Sequence, residues 1–191
     1  MESESASTEL FLVEHHRVPE QVARASRPRS SECRSGYVEA CRTLRLTRRF
    51  DAPPQRVFDA WLDPPLAARW LFATASRPIA HVEIDARVGR GFRFVDRDDG
   101  DAIEYVGEYT EIVPHRRLAF MLVLPLAHPV VTRVTVAIAS LKRGSRLSLV
   151  HESVPGVSAS YTNDRWAGIL YGLGATLAPD ADHRVEDPRD I

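Results

Sequence analysis

Hydrophobic positions change their spacing three times between residues 43 and 178. They alternate with polar ones in Thr43–Phe50, which predicts a strand. Two short blocks with helical spacing follow, PPQRVFDAWL and PLAARWLF. Proline is tolerated in the first turn of a helix and Asp is a favourable cap, so Asp51 and Asp63 are expected to precede these helices. The two proline pairs should start the helices and force the bend between them.

Hydrophobic and polar positions alternate again over the next hundred residues. The segments HVEIDARVG, GFRFVDRDDGDAIEYVGEYTEIVP, RRLAFMLVLP, VVTRVTVAIASL and SRLSLVHESV are separated by Gly, Pro or Asp turns, including Asp98–Asp101. Strands joined by short turns form an antiparallel meander, which must cover its apolar face.

The element predicted to cover the apolar face of the sheet is the last segment, YTNDRWAGILYGLGATLA. In this segment the apolar residues return to helical spacing. This indicates a helix of about 18 residues, with Trp166, Leu170, Leu173 and Leu177 on one face. Three glycines thin its sides, which predicts close approach to a strand or to an enclosed space: Gly168, Gly172 and Gly174. The resulting fold class is α+β, with a curved antiparallel sheet of about six to seven strands around the long helix.

The ends of the chain differ from this domain, predicted over residues 43–178. Residues 1–42 are rich in Ser, Arg and Pro, and we interpret them as a mobile tail with a short helix near Glu9–Val22. Residues 179–191 are polar and are expected to form a second tail. No structural disulfide is expected between Cys33 and Cys41, which favours a reducing cytoplasm.

The charge balance restricts the classes of partner. A net charge of -1 gives no electrostatic case for nucleic acid or for an anionic membrane surface. No apolar segment approaches the roughly 20 residues that a membrane helix needs, so membrane insertion is not expected.

Five segments, in order, resemble the START-like (SRPBCC, helix-grip) superfamily. They are FDAPPQRVFDAWLDPPLAARW, DARVGRGFRF, GEYTEIVPHRRLAF, VTVAIASLKRGSRLSLVH and RWAGILYGLGATL. Within that superfamily they are most similar to the branch named for the activator of heat-shock-protein-90 ATPase. The resemblance covers nearly all of residues 43–178 and implies the helix-grip fold. One departure is a turn in which Arg90 separates Gly89 from Gly91, where the branch has adjacent glycines; the turn is either displaced or bulged to expose Arg90.

The resemblance implies fold more strongly than function, since its members include chaperone activators, polyketide cyclases, aromatases and lipid carriers. Our leading interpretation is a protein that binds a small hydrophobic molecule, lipid-like or aromatic, in an internal cavity between sheet and helix. The alternatives are a chaperone ATPase activator, with a chaperone or a second copy of the chain as partner, and a cyclase or hydrolase. Residues 1–42 are too short and polar for the additional N-terminal domain of eukaryotic activators, which disfavours the first alternative.

Large apolar residues on the inward faces are the candidates for lining this cavity. Trp70, expected near its mouth, and His151, on the apolar face of its strand, are the two that pattern singles out. The complete set is Trp70, Phe92, Phe94, Tyr105, Tyr109, Phe120, Val134, Val136, His151, Trp166 and Leu170. Ordinary core packing would require the same residue types, so the pattern does not separate core from cavity.

Candidate chemistry is sparse. His151 could act as a general base with a cavity-facing tyrosine, or it could simply be a buried, hydrogen-bonded histidine, and we favour the second reading. Polar side chains at Asp85, Arg87 and Arg93 could hold a polar ligand group but are more typical of a solvated strand edge. No nucleophile elbow or metal-ligand spacing occurs, so we assign no catalytic residue, metal or cofactor and favour a binding protein over an enzyme.

Overall fold

The structure is a computed structural model that describes residues 40–73, 79–96, 102–126 and 130–178. Nearly all of the predicted tails, the helix predicted near Glu9–Val22 and the turn at Asp98–Asp101 lie outside these residues. No helix in the described ranges is long and apolar enough to span a bilayer. Cys41 is disulfide-bonded, contrary to the expectation from sequence, so cysteine chemistry no longer supports the predicted cytoplasmic location.

Seven antiparallel strands form one sheet, as the alternating segments predicted. They are β1 (Arg42–Phe50), β2 (Ile79–Ile84), β3 (Gly91–Asp96), β4 (Glu104–Val113), β5 (Arg117–Leu124), β6 (Val130–Ser140) and β7 (Ser145–Val154). Their order in the sheet is β1-β7-β6-β5-β4-β3-β2, so the consecutive strands β2–β7 form a meander, and β1 pairs with β7. The α+β fold class is confirmed.

Two short helices follow β1, namely α1 (Pro54–Leu62) and α2 (Pro64–Ala67). Pro53, rather than Asp51, occupies the N-cap of α1, whereas Asp63 caps α2 by accepting the Leu66 N–H at 2.9 Å. The second helix is shorter than the sequence predicted, because it ends at Ala67 and a turn follows. Trp70 therefore lies in this turn rather than on a helical face.

The long helix α3 (Ala159–Leu177) follows a 3₁₀ turn at Gly156–Ser158 and packs across the sheet. Its buried apolar residues include all four predicted at helical spacing: Trp166, Leu170, Leu173 and Leu177. Of its glycines, Gly172 lies against Trp70, whose Cβ would be 3.3 Å from an added methyl group. Gly168 has no neighbour on that side, so the predicted close approach does not apply to it.

The turn before β3 contains the departure noted at Arg90. Gly89 takes a positive φ of 78°, and its N–H donates to the Tyr109 carbonyl at 2.8 Å. The Arg90 carbonyl accepts from the Tyr109 N–H at 2.7 Å, while the Arg90 side chain is 63% exposed. The turn therefore pairs with β4 through backbone atoms and directs Arg90 to solvent.

Gly107 provides a test of how tightly the sheet packs on its inner face. An alanine methyl group there would lie 2.5 Å from the Met121 carbonyl oxygen and closer still to the Phe92 ring. We expect Gly107→Ala to lower the free energy of unfolding by about 1–3 kcal/mol, measured by urea denaturation.

The matched control is Gly168→Ala, on the exposed side of α3. This change should raise the free energy of unfolding by up to about 1 kcal/mol, because Ala is the better helix former and nothing obstructs its methyl group. Equal changes in the free energy of unfolding for the two substitutions would contradict the close packing at Gly107.

Candidate functional site

Aromatic rings occupy most of the space between the sheet and α3. The Trp61 ring packs edge-on against the Trp70 ring, 4.8 Å between centroids, and Phe92 packs edge-on against Phe120 at 5.2 Å. The four rings are each at most 5% exposed. The centre of the domain is therefore a close-packed core.

Open space remains at one end of this core, as a cavity of about 90 Å³. The sheet side is lined from the start of β4 and the end of β5 by Ile103, Tyr105, Leu122, Leu124, Pro125 and Leu126. The first turns of α3 and the segment after α2 complete the lining, with Tyr161, Thr162, Arg165, Trp166, Ile169 and Phe72. We call this space the end pocket.

The structure places only two of the eleven predicted cavity residues, Tyr105 and Trp166, in the wall of the end pocket. Trp70, expected near the cavity mouth, is 1% exposed and donates its indole N–H to the Ala60 carbonyl at 3.2 Å. The other eight are also buried and lie in the core or beneath the pocket wall: Phe92, Phe94, Tyr109, Phe120, Val134, Val136, His151 and Leu170.

His151 belongs to a buried chain of hydrogen bonds that links α3 to three strands. Trp166 Nε1 lies 2.9 Å from His151 Nδ1, and His151 Nε2 lies 2.7 Å from Thr132 Oγ1. Thr132 lies opposite Leu122 in the β5–β6 register, and its hydroxyl donates to the Leu122 carbonyl at 2.9 Å. We call this arrangement the Trp–His–Thr chain.

The direction of every bond in the Trp–His–Thr chain follows from its first member. An indole N–H can only donate, so His151 Nδ1 must accept, and the imidazole proton must lie on Nε2. A charged imidazolium would place two N–H groups against each other. Burial acts in the same direction, because it lowers the pKa of His151 to about 4 from its ordinary value of 6.5.

This arrangement leaves His151 no free lone pair with which to act as a general base. Tyr109 is no better placed as an acid, because burial raises the pKa of its phenol well above the ordinary value. The geometry therefore gives no support to a cyclase or hydrolase that uses His151. Among the residues that the structure describes, no cluster of three His, Cys, Asp or Glu is arranged to hold a metal ion.

Arg165 is the cationic side chain in the wall of the end pocket. Its Nη2 donates to the Phe72 carbonyl at 3.2 Å and, in a short hydrogen bond, to the Tyr105 hydroxyl. Its Nη1 donates to the Tyr161 hydroxyl at 3.2 Å. The guanidinium also lies 5.0 Å from the centre of the Tyr105 ring, within cation–π distance.

Phe72 holds an unusual backbone conformation beside Arg165. Its φ is 62°, in the left-handed region that bulky residues rarely adopt, and such strain concentrates at functional sites. The conformation is fixed by contacts, since the Phe72 ring stacks on the Tyr105 ring at 4.5 Å with an interplanar angle of 4°. The same residue thus supplies one wall of the pocket and a carbonyl for Arg165.

Known proteins resemble this chain in sequence and in fold. Residues 51–178 match the family described as "Activator of Hsp90 ATPase homolog 1-like protein". The chain belongs to this family. A comparison with curated proteins gives no match.

Solved structures of similar proteins confirm the helix-grip fold of the Hsp90 ATPase activator homologue family. Protein CV1439 from Chromobacterium violaceum is 32% identical, with a TM-score of 0.66 over 72% of this chain and 98% of that one. Protein Mll3558 from Rhizobium loti is 25% identical, with a TM-score of 0.64 over 74% and 100%. An AHSA1-like protein from Aeromonas hydrophila is 20% identical, with a TM-score of 0.63 over 71% and 91%.

Most residues that line the end pocket of this protein were not among those predicted from the sequence. The helical contribution had a signal, because Tyr161, Thr162, Arg165, Trp166 and Ile169 share one flank of a helix at its natural spacing. An arginine beside a buried tryptophan is more often on a solvated flank of a helix, so this spacing alone does not indicate a pocket. The conformation of Phe72 had no signal, since it depends on stacking against a distant strand.

The neutral His151 predicts a specific loss of stability in acid. The unfolded chain takes up a proton near pH 6.5 and the folded chain only near pH 4, so this contribution is complete above about pH 6.5 and falls as pH decreases to about 4. Between pH 6.5 and pH 5 we expect it to lower the free energy of unfolding by about 1–2 kcal/mol. Urea denaturation at the two pH values measures the change.

His151→Gln is the comparison, because it lacks the titrating group and keeps hydrogen-bonding capacity. Its free energy of unfolding should change less than that of the wild type between these pH values. An identical change in the two proteins would show that His151 is not held neutral by the fold.

Proposed function

We propose that this protein binds a small hydrophobic molecule in the end pocket. The observation that carries the proposal is a largely apolar cavity of about 90 Å³ at the end of a core in which aromatic rings pack closely. Concave apolar pockets with a few converging polar groups are the usual sites of small ligands. The polar groups here come from Arg165, Tyr105, Tyr161 and Thr162.

The volume favours a compact ligand. An engineered apolar cavity of about 150 Å³ accommodates benzene, so the smaller space here holds at most part of one ring or a short branched chain. A larger molecule would have to extend through the mouth of the pocket, where Tyr161 is 65% exposed. This supports an aromatic or short aliphatic ligand over a long lipid.

The chaperone-activator alternative is supported by the family description alone. The strained, stacked conformation of Phe72 lies at the end pocket, and this favours ligand binding as the first proposal. The chaperone partner, a homodimer and a cytoplasmic location stay predictions.

Toluene is a suitable probe, because it offers one ring without a polar group. We expect it to shift the methyl NMR signals of Ile103, Leu122 and Ile169 and to raise the melting temperature, because a ligand that binds the folded form stabilises it. Leu126→Trp should fill the pocket and weaken toluene binding by at least about tenfold, equal to 1.4 kcal/mol. Isothermal titration calorimetry measures both affinities.

Val88→Trp is the matched control, since Val88 is 61% exposed and does not line the pocket. It should bind toluene as the wild type does. The proposal fails if toluene causes no shift at the pocket methyl groups, if a library of small aromatic and lipid-like molecules causes no thermal shift, and if native mass spectrometry finds no co-purifying small molecule.

A further inference from the structure

No carboxylate of the described residues balances the charge of Arg165. Its hydrogen-bond partners are a carbonyl, from Phe72, and the hydroxyls of Tyr105 and Tyr161, all of which are neutral. Among the described residues, no carboxylate lies within ion-pair distance of its guanidinium, including that of its neighbour Asp164.

Three other arginines are paired with carboxylates. Arg93 pairs with Glu104, Arg117 with Glu111 at 2.9 Å, and Arg87 with Asp85 at 2.6 Å. These pairs lie at exposed strand edges and turns, where solvent already screens the charge. Arg165 is partly buried against an apolar wall, where an uncompensated charge is more costly. A bound anion would offset this cost at Arg165.

The guanidinium also retains hydrogen-bonding capacity. It carries five N–H donors, and three of them are directed to Phe72, Tyr105 and Tyr161. Within the described part of the chain, the Nε–H and the second Nη1–H have no acceptor. The planar fork of an arginine matches the two oxygens of a carboxylate, and such charge-assisted bonds are stronger than neutral ones.

The neighbouring residues fix the position of this fork. Phe72, whose backbone is in the left-handed region, directs its carbonyl to Nη2. Tyr105 both stacks on Phe72 and accepts from Nη2, so the two residues hold the guanidinium from one side. A guanidinium already oriented loses less conformational entropy when it binds an anion.

From these contacts we propose that the end pocket selects a small monocarboxylic acid with an aromatic or branched apolar body. The carboxylate binds Arg165, and the apolar body contacts the wall formed by Leu122, Leu126 and Ile169. The inference rests on the proposed function, to which it adds the chemical class of the ligand. A phosphate monoester fits less well, because its second charge would face a wall in which Arg165 is the only cationic residue among the described lining residues.

The experiment compares phenylacetate with phenylacetamide, which has the same shape and no charge, and with toluene. Isothermal titration calorimetry on the full chain should show phenylacetate binding at least about tenfold tighter than phenylacetamide, as expected for a charge-assisted hydrogen bond in place of a neutral one. Arg165→Gln should reduce this preference to within about twofold, and Arg165→Lys should retain part of it, since lysine keeps the charge but not the fork.

Arg146→Gln is the control, because it removes the same charge from an exposed position on β7 outside the pocket. It should keep the wild-type preference for phenylacetate. If Arg165→Gln does not fold, Arg165→Lys and the comparison of the three probes in the wild type still test whether Arg165 binds the carboxylate.

The two proposals fail in different ways. If toluene binds while phenylacetate binds no tighter than phenylacetamide, the carboxylate inference is wrong and the hydrophobic pocket stands. If the preference for phenylacetate survives in Arg165→Gln, another group recognises the carboxylate and the assignment to Arg165 is wrong. If none of the three probes binds, the carboxylate inference is wrong, and the proposed function falls with it unless the library or native mass spectrometry finds another ligand.

Discussion

The hydrogen bond from Trp166 to His151 is the interaction on which the rest of the architecture depends. It ties the middle of α3 to β7, and Thr132 extends the connection through β6 to the Leu122 carbonyl on β5. Each polar group in this buried chain finds one partner, so none is left with the cost of about 1–3 kcal/mol that an unpaired buried group carries. The helix is therefore held at one height above the sheet.

This fixed position of α3 explains why a packed core lies at one part of the helix and the end pocket lies beside its first turns. Beneath α3, the rings of Trp61, Phe92 and Phe120 fill the space between helix and sheet. Trp166 stands at the boundary, since it contacts Trp61 at a centroid distance of 6.3 Å and also lines the end pocket. The first turns of α3 then extend past the packed rings, where Arg165 and Phe72 close the remaining space.

Much of the fold could be predicted from the pattern of apolar residues. Alternation identified the strands, and helical spacing identified the face of α3 that carries Trp166 and Leu173, because these periods follow directly from backbone geometry. The location of the pocket could not be predicted in the same way. Core and cavity require the same residue types, and only tertiary packing decides that Phe94 fills space while Tyr105 borders it.

Two further features lay beyond sequence reasoning for physical reasons. A positive φ at Phe72 is unfavourable on its own and is maintained by tertiary contacts, among them stacking on Tyr105. The neutral state of His151 depends on its burial and on an indole donor fifteen residues away, which the spacing of a single strand does not reveal. Both features become visible only when the helix and sheet are brought together.

The most direct test of this account is the tautomer of His151, read from a long-range ¹H–¹⁵N NMR correlation spectrum at pH 7. We predict a neutral ring with the proton on Nε2 and an unprotonated Nδ1 that accepts from the Trp166 indole. A proton on Nδ1, in either the other neutral tautomer or the imidazolium, would contradict the account, because Trp166 could then no longer anchor α3 to the sheet.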